Sequence, residues 1–145
     1  MDMKQPIVLL AEDNLAEAEL ARQVFQTINP ALTIHVAVDG VETLSFLRRE
    51  GKHSTVPRPD LVLLDLNMPR MSGRDVLGKI KQDPELHSIP VVVLTCSNAE
   101  SDIQRCYDLH ANCFVTKSLD LQEFFESMTC IAALWLRQPR RPDYN

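Results

Sequence analysis

Leu61-Val-Leu-Leu-Asp-Leu-Asn-Met-Pro-Arg-Met-Ser-Gly73 carries the reading of the fold. The run Leu61 to Leu64 is continuously apolar and too short for a helix. It therefore reads as a strand buried on both faces, at the centre of a parallel sheet. The run ends on an acid, Asp65, and the chain then turns through Met68-Pro69 to Gly73. Proline fixes φ and glycine permits a tight bend, so this turn stays close to Asp65.

The same alternation extends in both directions. Ile7-Val-Leu-Leu-Ala11 reads as strand one, residues 33–38 as a half-exposed second strand, Val91-Val-Val-Leu94 as strand four and Cys113-Phe-Val115 as a short fifth. Segments of helical period lie between them. The first covers residues 15–28 with Leu15, Ala18, Val24, Phe25 and Ile28 on one face, and Asn29-Pro30 stops it. Asp39 is a suitable N-cap for a helix over residues 40–49 that carries Val41, Leu44 and Leu47. Residues 51–59, broken by Pro57 and Pro59, read as an exposed loop. A third helix reaches Gln82, a fourth covers residues 99–109, and the last runs from Leu121 to Trp135. Leu121, Phe124, Phe125, Met128, Ala132 and Trp135 form the core face of the last helix. Five strands alternating with five helices specify an α/β, doubly wound five-stranded parallel sheet. The flavodoxin-like order 2-1-3-4-5 fits best and puts a ligand crevice at the carboxyl ends of strands one and three.

Composition limits the alternatives. The 145 residues, 45% hydrophobic and 24% charged, suit one globular unit. A domain over residues 5–136 and a tail over residues 137–145 are expected. The net charge of −5 argues against broad binding to nucleic acid or an anionic membrane. The apolar runs are too short to cross a bilayer, and no signal peptide is evident. The four cysteines, Cys96, Cys106, Cys113 and Cys130, are scattered without zinc spacing, which suits reduced thiols and a cytoplasmic location.

The chemistry is expected where the strands end. Strand one runs into Glu12-Asp13, strand three into Asp65, strand four into Thr95 and strand five into Lys117. Parallel order brings all five side chains to one edge. Crowded carboxylates repel, and Mg²⁺ relieves that repulsion through its preference for hard oxygen ligands. Glu12, Asp13 and Asp65 are the candidate ligands, with the backbone carbonyl of Asn67. Taken alone, Asp65 could be a turn residue, Thr95 a cap and Lys117 a surface lysine. Acid, acid, hydroxyl and ammonium at four successive strand ends make the stronger pattern.

With Glu12-Asp13, the Asp65–Gly73 motif, Thr95 and Lys117, the sequence resembles a response-regulator receiver domain of two-component systems. The resemblance implies a Mg²⁺-dependent phosphorelay in which a histidine kinase phosphorylates Asp65, with Thr95 and Lys117 contacting the phosphoryl group. It implies a switch in which Thr95 turns inward and Phe114 follows, although Phe114 is equally an ordinary core aromatic. Output would be by protein contact, or the chain would be an intermediate shuttle in a longer relay. The chain is not expected to be an enzyme. A haloacid-dehalogenase-like phosphatase is disfavoured because Asn67 stands where a second acid would act.

Two departures stand out. Receiver domains usually place a proline after the lysine, joined by a cis peptide. Here Ser118 follows Lys117, and a non-proline cis bond costs about 2.5–4 kcal/mol, so a trans bond is expected. Cys96 occupies a place usually held by a small residue. The Lys-Ser pair, the loop over residues 51–60 and the Trp135-Leu-Arg ending resemble the single-domain regulators that partner phytochrome kinases. That subgroup implies a homodimer through the last two helices and the last strand. Ile131, Leu134 and Leu136 look surplus to one core stripe, yet a wide core-facing stripe explains them equally well.

Overall fold

The computed structural model describes residues 5–96, 100–118 and 120–136, apart from the side chain of residue 102. Its sheet consists of β1 (Ile7–Ala11), β2 (Thr33–Ala37), β3 (Leu61–Leu64), β4 (Val91–Thr95) and β5 (Cys113–Thr116). All neighbours are parallel and the order is β2-β1-β3-β4-β5, as expected. The helices are α1 (Leu15–Ile28), α2 (Gly40–Arg48), α3 (Gly73–Gln82), α4 (Glu100–Asp108) and α5 (Leu121–Trp135). The start of the fourth helix expected at residue 99, and the tail over residues 137–145, lie outside the described residues. Among the described residues no helix is long and apolar enough to cross a membrane.

Alternation along the strands divides the core in two. Leu9, Ala11, Val62, Leu64, Val91 and Val93 face α2, α3 and α4. Val8, Leu10, Leu61, Leu63, Val92 and Leu94 face α1 and α5. β3 and β4 are buried along their whole length, which explains why their sequences run apolar without alternation.

Helices α1, α2, α3 and α5 start on an expected type of cap. Asn14, Asp39, Ser72 and Asp120 each accept a backbone N–H of the first turn. The loop over residues 51–59 is more ordered than expected. Gly51–His53 forms a 3-10 turn, and the His53 ring rests against Phe46, with centroids 5.3 Å apart.

Several residues expected in the core are not there. Leu15, Val41 and Leu121, which open their helices, are 69%, 36% and 61% exposed. Helical side chains lean towards the N-terminus, so a first-turn residue here projects beyond the sheet edge instead of onto it. The α5 stripe is Phe124, Met128, Ile131 and Ala132, which leaves Phe125 exposed. Ile131 and Leu136 are buried against α1 rather than surplus to the core, so only Leu134 of the three remains outside.

Candidate functional site

The crevice is built by extending the parallel ladders one residue past the strands. The Glu12 N–H donates to the Ala37 carbonyl at 2.9 Å, and the Asp65 N–H to the Ala11 carbonyl at 3.1 Å. The Lys117 N–H donates to the Thr95 carbonyl at 2.7 Å. Backbone bonds thus fix the four strand ends before any side chain acts.

The turn after Asp65 is held equally firmly. A Cβ on Gly73 would lie 2.6 Å from Leu66 Cα and would also run into the Asp65 backbone, so only glycine fits. A Cβ on Gly40 would lie 2.7 Å from Met71 Cβ, so α2 presses on the far side of the same turn. Between these contacts Arg70 adopts the left-handed region at φ 70, and its guanidinium meets the Asp39 carboxylate at 3.3 Å.

The expected side chains converge. Oxygens of Glu12, Asp13 and Asp65 lie within 4.8 Å of one another. Glu12 and Asp65 are buried, whereas Asp13 is exposed. Asp65 Oδ1 accepts the Asn67 N–H at 3.1 Å. The Lys117 ammonium donates to Glu12 at 2.6 Å and approaches Asp65 Oδ2 at 3.5 Å. Thr95 is fully buried. Its strand position follows Val91 and Val93, which puts it on the same sheet face as Phe114, the register partner of Val93. Phe114 is half-buried, and its N–H donates to the Tyr107 hydroxyl of α4 at 3.2 Å.

Sequence reasoning missed Glu17. This residue sits in the first turn of α1 and accepts a second 2.6 Å hydrogen bond from Lys117. An acid three residues after an Asn cap, on the helix that opens at the crevice, was the available signal. Three carboxylates, Glu12, Glu17 and Asp65, therefore surround one ammonium. Burial raises the Glu12 carboxyl to about 7, although Lys117 pulls in the opposite direction. Burial also opposes the Lys117 charge, but Glu12, Glu17 and Asp65 outweigh it and hold the ammonium above the usual lysine range.

The Lys117-Ser118 bond is trans, since the described residues contain no cis peptide. Ser118 anchors the loop by another route. Its hydroxyl donates to Glu123 at 2.7 Å and accepts the Asp120 N–H at 3.0 Å. Cys96 is exposed and borders a cleft of about 210 Å³ with Lys117, between α1 and α5.

The chemistry of this donor set suits a hard divalent cation. It offers oxygen ligands only, and more negative charge than Lys117 can balance. Mg²⁺ fits, and Glu12, Asp13 and Asp65 are the residues that would hold it. Two of these three are already fixed by backbone ladders, so the pocket is largely organised in advance.

Comparison with known proteins gives a consistent result. The family model described as the response regulator receiver domain matches residues 8–129. The response regulator Rcp1 of Synechocystis sp. is 41% identical over 136 residues, which cover 94% of this chain and 92% of Rcp1. The phosphorylated cyanobacterial phytochrome response regulator RcpA superposes with a TM-score of 0.89 at 41% identity, covering 96% of this chain and 99% of that one. The Mn²⁺-bound form of Rcp1 gives a TM-score of 0.86 at 41% identity, covering 94% and 99%.

Proposed function

We propose, from the premise that this chain belongs to the response regulator receiver domain family, that Asp65 is its phosphoacceptor. The observation that carries this reading is the placement of the buried Asp65 carboxylate, 3.5 Å from the Lys117 ammonium and within 4.8 Å of Glu12 and Asp13. One Asp65 oxygen attacks phosphorus. The N–P bond of the phosphohistidine on a histidine kinase breaks, and an acyl phosphate forms on Asp65. Glu12, Asp13, Asp65 and the Asn67 carbonyl would hold Mg²⁺, which when bound would supply positive charge against the phosphoryl oxygens.

The other roles belong to the chain itself. Lys117 is a compact, permanently charged donor for one phosphoryl oxygen. Thr95 supplies a hydroxyl donor, and its shared sheet face with Phe114 suits a coupled movement of the two. The Phe114–Tyr107 hydrogen bond would carry that movement to α4. The Asn67 N–H holds Asp65 Oδ1 and offers no second acid for turnover of an outside substrate. The protein is thus a switch that is itself modified, not an enzyme acting on a free substrate.

A phytochrome kinase is the proposed partner, supported by the likeness to Rcp1 and RcpA. A cytoplasmic site of action follows from that partnership. A homodimer through α4, β5 and α5 rests on Leu134, 70% exposed, with the exposed Cys130 one helical turn before it.

The test is transfer of phosphate from an autophosphorylated phytochrome kinase to the wild type and to Asp65→Asn. Only the wild type should be labelled. Equal labelling of both would overturn the assignment.

A further inference from the structure

Between α3 and α4, on the face of the sheet covered by α2, α3 and α4, runs an open groove of about 760 Å³. It meets the crevice at the turn residues Arg70, Met71 and Ser72 but has no part in the chemistry proposed above. Its floor contains Gly78, in the interior of α3. A glycine there costs the helix about 0.5–1 kcal/mol relative to alanine. Among the described residues nothing close to Gly78 requires it. A Cβ on Gly78 would only touch the end of the Leu109 side chain, at 3.8 Å, an ordinary van der Waals contact. This sets it apart from Gly40 and Gly73, where a Cβ collides with backbone.

The groove also departs from the charge of the whole. The chain carries a net −5, yet Arg74, Lys79 and Arg105 line this surface against two acids, Asp75 and Asp108, while Arg70 at its end is paired with Asp39. Lys79 and Arg105 are exposed and stand on opposite walls, one on α3 and one on α4. Both acids serve their own helices. Asp75 sits in the first turn of α3, where a negative charge complements the dipole, and Asp108 accepts a hydrogen bond from Gln104 at 2.9 Å. Half-buried Met71 and Leu109 add apolar surface to the floor.

We infer that this groove docks an acidic, partly apolar segment of a protein partner. The backbone of that segment approaches α3 closely at Gly78, while Lys79 and Arg105 pair with its carboxylates. Nucleic acid is the poorer match, because two acids lie inside the groove and the chain as a whole would repel a polyanion.

Fluorescence anisotropy tests the assignment on the full chain with three labelled probes. These are a synthetic peptide of alternating glutamate and leucine, its lysine-for-glutamate counterpart and a short single-stranded DNA. The acidic peptide should bind saturably at low salt and more tightly than either other probe. The Lys79→Glu/Arg105→Glu double variant should weaken it at least tenfold. Gly78→Gln, which fills the floor without changing charge, should also weaken it at least threefold, with circular dichroism confirming the fold of each variant. Absence of saturable binding, binding unchanged in these variants, or tighter binding of DNA would overturn the inference. Phosphoryl transfer to Asp65 is measured separately, so failure here leaves the phosphoacceptor assignment standing.

Discussion

Glu17→Gln should accelerate phosphorylation of Asp65, and the structure sets the size of the effect. Lys117 donates to Glu12 and Glu17 at 2.6 Å each but stands 3.5 Å from Asp65. To meet a phosphoryl group on Asp65 it must release one of the two nearer partners. Glu12 is nearly enclosed, with 4% of its side chain exposed, and cannot turn to water. Glu17 is 47% exposed and can, so it is the partner that yields. An ion pair with one half-exposed member is worth about 0.2–1 kcal/mol. Removing the charge of Glu17 relieves that cost, which corresponds to a rate increase of roughly 1.5- to fivefold. The assay is the initial rate of phosphorylation by phosphoramidate with saturating Mg²⁺, followed by phosphate-affinity gel. A slower or unchanged rate would refute the idea that Glu17 competes for the lysine. A gain above about thirtyfold would exceed a surface ion pair and implicate Glu17 directly in the chemistry.

Three further outcomes follow from the packing. Gly73→Ala should destabilise the fold by about 3 kcal/mol in urea titration, because its Cβ meets backbone atoms that have no rotamer to adopt. Lys81→Met should cost about 2 kcal/mol, because the ammonium donates to the His87 and Ile89 carbonyls and to Asn112 Oδ1 within 3.1 Å. A loss under about 0.5 kcal/mol would show that burial, which lowers the Lys81 pKa, cancels those bonds. Glu42 is opposed by its own burial, yet the Val38 N–H and Lys52 hold its carboxyl below the ordinary range. A depressed carboxyl stabilises the fold above its unfolded pKa, and that contribution is lost as pH falls through the folded value. The stability difference between wild type and Glu42→Gln should therefore shrink on acidification below the ordinary carboxylate range. A difference that grows there would reverse the sign of the argument.

The sheet was legible in the sequence because parallel strands buried on both sides need unbroken apolar runs, and Leu61–Leu64 and Val91–Leu94 have them. Asp65, Thr95 and Lys117 were legible because a strand end fixes the position of the residue that follows it. Helix faces were harder to read. Periodicity puts Leu15 and Leu121 in line with the core, but it does not reveal that the sheet ends before their side chains reach it. Ile131 and Leu136 were left open between a dimer face and a wide core stripe, and the structure puts them in the core. The core between α1 and α5 extends to the end of α5, farther than one seven-residue stripe suggests. Glu17 carried only the signal of an acid three residues after the Asn14 cap, which marks a helix start but not its pairing with Lys117, remote in sequence. The trans bond at Lys117-Ser118 was expected from the energetic cost of the alternative. The Ser118–Glu123 link that anchors the loop was not, since it depends on where α5 begins.

The clasp on the turn after Asp65 sets what may be changed in this protein. Gly73 abuts the Asp65–Leu66 backbone on one side, and Gly40 abuts Met71 on the other. The span between the acceptor and α3 is therefore a fixed-length spacer: an inserted residue would break both abutments together. The loop beyond α2 has no such restriction around its exposed residues Ser54 and Thr55, where doubling a loop's length costs only about 0.6 kcal/mol. Graft acceptance should follow the same division, with a tag carried at residues 54–55 and refused at residues 66–72.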